Sequence, residues 1–401
     1  MNNALSNRLK NMSESETLAM SQKSRELKEK GQDIINLSIG EPDFNTPAFI
    51  KEAAKQAIDD NHTHYPPVAG YPELRRAIAE KLQRDNNLLF DPGQIVVSAG
   101  AKHSITNAIL SIVDPGDEVL VPAPYWVSYK EIIKLAQGVP VVMETSIEND
   151  FKITPGQLEK AINAKTKALL YSSPCNPSGS VYGKEELKGL AAVLTNYKNL
   201  YVISDEIYEL INFVDKHYTI AAYECLKDQV ILINGVSKGF AMTGWRLGYM
   251  AAPPAIAKAC EKLQGQMTSG ITTLSQYAAI AALRADPSKT PEIIEMVSTF
   301  RERRDMVLDL LQSIPGMKTN QPKGAFYIFP DIHAYFGTSF GNTSIRNSKD
   351  LCMYLLEEAG VAMVPGDAFG APGCIRISYA SSRELLEEAV KRMDKALKKL
   401  S

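Results

Sequence analysis

The sequence predicts an α/β fold, with a mostly parallel sheet sandwiched by helices and a smaller α+β unit after it. Between residues 95 and 252, short β-like runs alternate with helical stretches of roughly 10–15 residues, the pattern of a parallel sheet covered on both faces. After Pro254 the pattern changes to long helices followed by a few separate strand-like runs. At 401 residues, with 45% apolar side chains and average Gly (25) and Pro (22) usage, the chain is long enough for two or three domains. The same composition excludes collagen-like and mainly disordered chains.

Residues 13–30 carry Leu18, Ala19 and Leu27 among Ser, Glu and Lys, with Gly31 where a C-terminal cap belongs, which predicts a helix ahead of the main domain. SIGEPDF (38–44) reads as a tight turn before a helix beginning near Thr46. The strands follow as IVVSAG (95–100), EVLVP (118–122), VPVVME (139–144), KALLYSS (167–173), YVISDEIY (201–208), VILING (230–235) and LGYMAA (247–252). Helices fall between them at about 101–113, 126–137, 155–163 and 183–196. Further helices at about 255–266, 272–285 and 290–313 lead to strand-like AFYIF (325–329), VAMVP (361–365) and CIRISYA (374–380). GTSFGNTSIRNS (337–348) reads as a mobile surface loop.

Lys+Arg 44 against Asp+Glu 46 gives a formal charge of −2 without long blocks of either sign, so bulk electrostatics make no case for nucleic acid or an anionic membrane. An acidic ligand must be held by individual cations. The five cysteines, Cys175, Cys225, Cys260, Cys352 and Cys374, have no CxxC spacing, which argues against a disulfide framework or zinc site and fits a reducing compartment. The stretch MNNALSNRLKNMSESE is too polar for a signal peptide, and no apolar run approaches the ~20 residues of a membrane helix, so the expected location is cytoplasmic. HTH (62–64) lacks an evident third ligand, and His103, His217 and His333 pair with no Ser or Cys nucleophile, so neither a metal site nor hydrolase chemistry is expected.

Ligands of parallel sheets bind beyond the carboxyl ends of the strands, which directs attention to NGVSKGFAMTGWRLGYM (234–250). There VILING delivers Ser237 and Lys238 into a turn, and Arg246 follows eight residues later among glycines. A lysine at the end of a buried strand is costly unless paired, neutralised or modified, and such an arginine offers a fork for phosphate or carboxylate. On the residues alone, Lys238 reads equally as a solvated loop residue.

GVSKGFAMTGWRLG resembles the lysine signature of class I aminotransferases, enzymes of the type I pyridoxal-phosphate fold, and further family-like segments follow in order over nearly the whole chain. The resemblance is closest to the bacterial aspartate aminotransferases. It implies that Lys238 carries pyridoxal phosphate covalently and that Ser237 and Arg246 hold its phosphate. It also implies an N-terminal segment (1–45) joining the small domain, a large cofactor-binding domain (46–290) and a small C-terminal domain (291–401).

The cofactor makes demands that can be checked against other segments. A pyridine nitrogen kept protonated wants a carboxylate, and SDEIY (204–208) supplies Asp205, with Tyr208 resembling the family tyrosine that bonds the phenolic oxygen. NPSG (176–179) resembles the family turn whose Asn176 donates to the same oxygen, although such residues are also ordinary turn formers. SAGAKHS (98–104) sets the amides of Gly100, Ala101 and Lys102 at a helix start, where a phosphate is favoured. Trp126, in PYW (124–126), matches the residue that stacks on the ring, against a plain core reading.

THYPPVAGYPELR (63–75) resembles the segment whose tyrosine, here Tyr65, reaches the neighbouring subunit's cofactor, which implies a homodimer; otherwise Tyr65 sits on a proline-packed surface turn. Arg376, inside apolar CIRISYA, wants a bidentate carboxylate, in a structural ion pair or, as the family implies, on the substrate α-carboxylate, with the backbone amide of Gly40 beside it. Trp126 and Asn176 would border the same substrate.

KLQGQMTSGITT (262–273) has no arginine where the better-known aspartate aminotransferases contribute one across the dimer, and Lys102 is the expected substitute for the distal carboxylate. Its competing reading is a solvated helix-start lysine. The function implied is ping-pong transamination between aspartate and 2-oxoglutarate, with Lys238 as anchor and general base. The segment from Ser13 to Thr17 and the C-terminal domain would close over the substrate, as in similar enzymes. Aromatic, prephenate or broad-specificity transamination is the alternative, with related lyases further off. A non-catalytic pyridoxal-phosphate effector module is remote, since no basic helix-turn-helix head precedes residue 40.

Overall fold

The computed structural model describes residues 6–14 and 16–401; residues 1–5 of the N-terminal segment, Ser15 and the Leu18 side chain lie outside the described residues. Its centre is a seven-stranded sheet in the order Ile95–Ser98, Gly248–Ala251, Val230–Gly235, Tyr201–Asp205, Thr166–Ser172, Glu118–Pro122 and Val139–Met143. All neighbours are parallel except at Gly248–Ala251, which runs antiparallel to both of its partners.

Successive residues of a strand point to opposite faces, and the core divides accordingly. Val119, Val121, Leu170, Ile203, Ile231 and Ile233 pack with helices Ala101–Ile112, Ser128–Leu135 and Pro254–Met267. The intervening Leu120, Leu169, Val202 and Val230 pack with Pro155–Ala161 and Lys184–Leu194. Ile95, Val97, Leu232 and Tyr249, on that second face, meet Ala48–Asp59, Pro72–Asn86 and Thr273–Arg284. Both faces are thus covered, as the apolar strands demand.

A second core joins Pro291–Gln312, Ser348–Ala359 and Arg383–Leu397 to an antiparallel sheet of Val364–Pro365, Ile375–Ser378 and Tyr327–Ile328. Ile35–Asn36 pairs in parallel with Val361–Ala362 beside it. The helix Glu16–Glu29 precedes this strand and ends as expected at Gly31, whose φ of +83° suits the cap. Gly31 N–H donates to Lys28 O at 2.9 Å and Gln32 N–H to Leu27 O at 3.1 Å.

Several expectations are corrected. YVISDEIY stops being strand at Asp205, because the Ile207 N–H turns back to the Asp205 carboxylate at 3.2 Å. VAMVP is two strands in two sheets, parting at Met363. Residues 337–348 form no open loop: Ser339–Phe340 and Thr343–Ser344 make a hairpin, tied by Ser339 N–H to Ser401 O at 2.9 Å.

Candidate active site

The carboxyl ends of the central parallel strands open into a cavity of about 280 Å³. Its walls include Gly40, Ala101, Lys102, Trp126, Asn176, Asp205, Tyr208, Ser237, Lys238, Arg246 and Arg376, drawn from segments more than 300 residues apart.

Asp205 ends its strand at 4% exposure. Its Oδ2 accepts the Tyr129 hydroxyl at 2.6 Å and its Oδ1 the Ile207 N–H. Burial outweighs these bonds and pushes the carboxyl up to about 6. Lys238, three residues beyond the strand Val230–Gly235, donates from Nζ to the Gly40 carbonyl. Burial brings this amine down to about 8; Arg376 and Arg246 reinforce the fall, while Glu41 and Asp205 oppose it. A lysine so shifted has a usable neutral fraction near neutral pH, as a nucleophile requires.

Tyr208 shares a 2.8 Å hydrogen bond with the Tyr327 hydroxyl, and its ring centroid lies 5.7 Å from Lys238 Nζ. Arg376 is 2% exposed. Its Nη1 donates to Asn176 Oδ1 at 3.0 Å and its Nη2 to Ser38 O at 2.6 Å, while Nε has no partner. The guanidinium lies over Tyr327 at 4.5 Å and Phe369 at 5.1 Å, and among the described residues no carboxylate pairs with it. Because Asn176 uses its oxygen on Arg376, its amide N–H groups remain for another acceptor.

Arg246 stands against the start of helix Ala101–Ile112, with Nη1 on Thr243 O at 2.8 Å. Gly100, at φ +88°, makes that approach possible, since a Cβ there would lie 2.6 Å from Arg246 Nη2. The Gly100 N–H itself bonds Ser98 O at 2.7 Å. Of the three amides expected to meet a phosphate, that of Gly100 is thus spent within the chain, and those of Ala101 and Lys102, at the helix start, have no intrahelical acceptor. Lys102 is exposed, with Nζ 4.9 Å above the Trp126 ring; desolvation of the amine and the charge of Arg246 lower its pKa.

Gly40 meets Lys238 through its carbonyl; the sequence reading concerned its amide. Tyr65 lies outside the cavity and is 96% exposed. The sequence reading missed Tyr129 and Tyr327, which position Asp205, Tyr208 and Arg376. Tyr129 had a signal, lying three residues after Trp126 at helical spacing; Tyr327, inside uniformly apolar AFYIF, had none. Thr17 also borders the cavity, and the nearby Ser13 N–H donates to Glu131 at 2.9 Å.

These groups fit pyridoxal phosphate. Asp205 would answer its ring nitrogen, Lys238 its aldehyde, Tyr208 and Asn176 its phenolic oxygen, and Ser237, Arg246 and the helix start its phosphate.

Comparison with known proteins agrees with this chemistry. The family model "Aminotransferase class I and II" matches residues 32–393. A bifunctional aspartate aminotransferase and glutamate/aspartate-prephenate aminotransferase of Petunia hybrida is 48% identical, over 98% of this chain and 83% of that protein. The aspartate/prephenate aminotransferase of Nitrosomonas europaea is 45% identical, over 97% and 98%. The crystal structure of the aspartate aminotransferase from Rhizobium meliloti superposes with a TM-score of 0.95 at 38% identity, covering 99% of each chain. That of the Thermus thermophilus aspartate aminotransferase with maleate gives 0.92 at 39% identity, covering 98% of this chain and 99% of the other.

Proposed function

The chain belongs to the class I and II aminotransferases, which makes it a pyridoxal-phosphate-dependent transaminase of fold type I, and from that premise we propose that it moves the amino group reversibly between L-aspartate and 2-oxoglutarate. The observation that carries this reading is the acid-free, buried Arg376 facing Lys238 across one cavity. A buried guanidinium with free N–H groups calls for a carboxylate from outside the protein.

When bound, pyridoxal phosphate supplies a protonated ring that takes up the electron pair left when an α-hydrogen departs as a proton. Asp205, held by Tyr129 and Ile207, would keep the ring nitrogen protonated. Arg246, Ser237 and the helix start at Ala101 would hold the phosphate, and Trp126 would cover one face of the ring. Arg376 would orient the α-carboxylate, with Gly40 at its side, and Lys102 would receive the distal carboxylate. Lys238 would accept the proton that leaves the substrate α-carbon and hold it for return.

The exposure of Tyr65 supports its use by a second copy of the chain in a homodimer. The pairing of Ile35–Asn36 with Val361–Ala362 supports grouping residues 1–45 with the small domain at 291–401, against a cofactor domain at 46–290. Five free cysteines, four of them buried, support a cytoplasmic location. Among the described residues, no helix is long and apolar enough to cross a membrane.

The test is a half-reaction. Cofactor-loaded protein is mixed with aspartate, glutamate, phenylalanine or alanine without a keto acid, and the visible absorption of the cofactor is followed. Rapid loss with aspartate and glutamate alone is expected. Equal or faster loss with phenylalanine would move the assignment to an aromatic or broad-specificity transaminase, and prephenate, suggested by the names of some relatives, is tested in the reverse direction.

A further inference from the structure

Behind the cavity wall lies a buried charge pair with no part in the chemistry above. Lys81, on helix Pro72–Asn86, and Glu209, one residue after Tyr208, are 4% and 6% exposed and form an ion pair. Glu209 Oε1 accepts Asn86 Nδ2 at 2.6 Å, and Oε2 accepts both Lys81 Nζ and Asn234 Nδ2, the latter at 2.6 Å. Lys81 Nζ also donates to Asn86 Oδ1 at 2.9 Å and lies 3.8 Å from Asp85. Asn234 in turn accepts the Gly235 N–H on Oδ1 at 2.7 Å.

We infer that the Lys81–Glu209 pair is a positioning device: it fixes Tyr208 and the strand end bearing Lys238 relative to each other through one carboxylate. Glu209 takes hold of the segment 205–209, whose Asp205 and Tyr208 face the cavity, while Asn234 stands three residues ahead of Ser237 and four ahead of Lys238. Desolvating two charges is costly, and an apolar pair would fill the space without that cost. What an apolar pair lacks is direction: three donors converge on Glu209 from two other segments, and each bond fixes an angle as well as a distance. Burial would raise the Glu209 carboxyl, but the charges of Lys81 and His217 and the bonds from Lys81 and Asn86 hold it down at about 2, so the carboxylate stays ionised throughout the working pH range.

The inference rests on reading Lys238 as the cofactor lysine. The test compares cofactor-loaded parent, Glu209→Gln, and the charge-neutral double variant Lys81→Met/Glu209→Gln. Displacing a reacting group by about 1 Å costs on the order of a hundredfold, so kcat should fall about ten- to a hundredfold in both. KM for the amino donor should move less than about threefold, because Arg376 and Lys102 do not touch the pair. The pH midpoint of the bound cofactor's visible absorption, to which a hydrogen bond from the Tyr208 hydroxyl would contribute, should shift by about half a unit or more in both. If Glu209→Gln does not fold, the double variant carries the test alone. Parent-like kcat and midpoint in the double variant would overturn the inference, leaving the pair a matter of charge balance. Absence of a visible cofactor band in the parent would instead strike the Lys238 reading.

Discussion

Replacing Arg376 with Lys keeps a buried positive charge and removes only the fork, so it isolates what the guanidinium geometry contributes. Arginine has five N–H groups; two are taken by Asn176 and Ser38, and the remaining three include Nε–H, which has no partner in the protein. Nε–H and the adjacent Nη–H form an edge suited to both oxygens of one carboxylate. A hydrogen bond to a charged group is worth roughly 1.5–3 kcal/mol, and leaving a buried acceptor such as Ser38 O unsatisfied costs about 1–3 kcal/mol. Loss of one bond of the fork gives roughly 1.5–3 kcal/mol, or about 10–10² in kcat/KM for aspartate, while the orphaned Ser38 O, present in free and occupied enzyme alike, lowers folding stability instead. The assay is steady-state transamination, with cofactor absorption and retention recorded on the same preparation. A fall of less than about tenfold in a variant that keeps its cofactor would refute the assignment of Arg376 as the carboxylate clamp.

Three further outcomes are expected from the same geometry. Lys238→Ala should abolish turnover while the cofactor still binds non-covalently, and near-normal turnover would remove Lys238 from the mechanism. Asp205, raised from 3.8 to about 6, contributes stability to the cofactor-free protein that is fully present below about 3.8 and lost as pH rises through about 6, roughly 3 kcal/mol in all. The parent should therefore lose roughly 1.5 kcal/mol more stability than Asp205→Asn between about pH 5 and pH 8 in denaturant titrations, and parallel losses would contradict the burial argument. Lys102→Ala should lower kcat/KM for aspartate about tenfold or more and leave that for alanine within about twofold; equal losses would show that Lys102 reads no distal carboxylate.

The legibility of the sequence tracks how local each signal is. EVLVP and VILING form strands at the residues their apolar runs span, because a doubly covered strand needs no partner to declare itself. The sequence reading assigns no element to Pro72–Asn86, whose buried face includes Lys81 and Asn86, residues that look solvated until Glu209 is placed against them. Arg383–Leu397 also goes unassigned, although Leu386, Ala389, Val390, Met393 and Leu397 keep helical spacing, so its signal is present. Lys238, Asp205, Asn176, Arg246 and Arg376 were legible as members of motifs, and the fold brings all five to one cavity. Tyr327 was not, because its role depends on a neighbour 119 residues away in sequence. Tyr65 was legible through its motif alone: it is 96% exposed and lies outside the cavity of its own chain.

The reversed strand, Gly248–Ala251, has a consequence for how the site can change. Because it returns directly beside Val230–Gly235, the chain from Ser237 to Leu247 never leaves the catalytic edge of the sheet. A parallel successor would have needed a crossover of a dozen or more residues and would have carried Arg246 to the opposite rim. The span between Lys238, the proposed covalent anchor, and Arg246, the proposed phosphate holder, is thereby a ruler of fixed length, graduated in residues 239–245. Lengthening or shortening it by one residue would retune the fit of a phosphorylated cofactor while leaving every strand in register, so this short span is where the protein's cofactor chemistry is open to redesign.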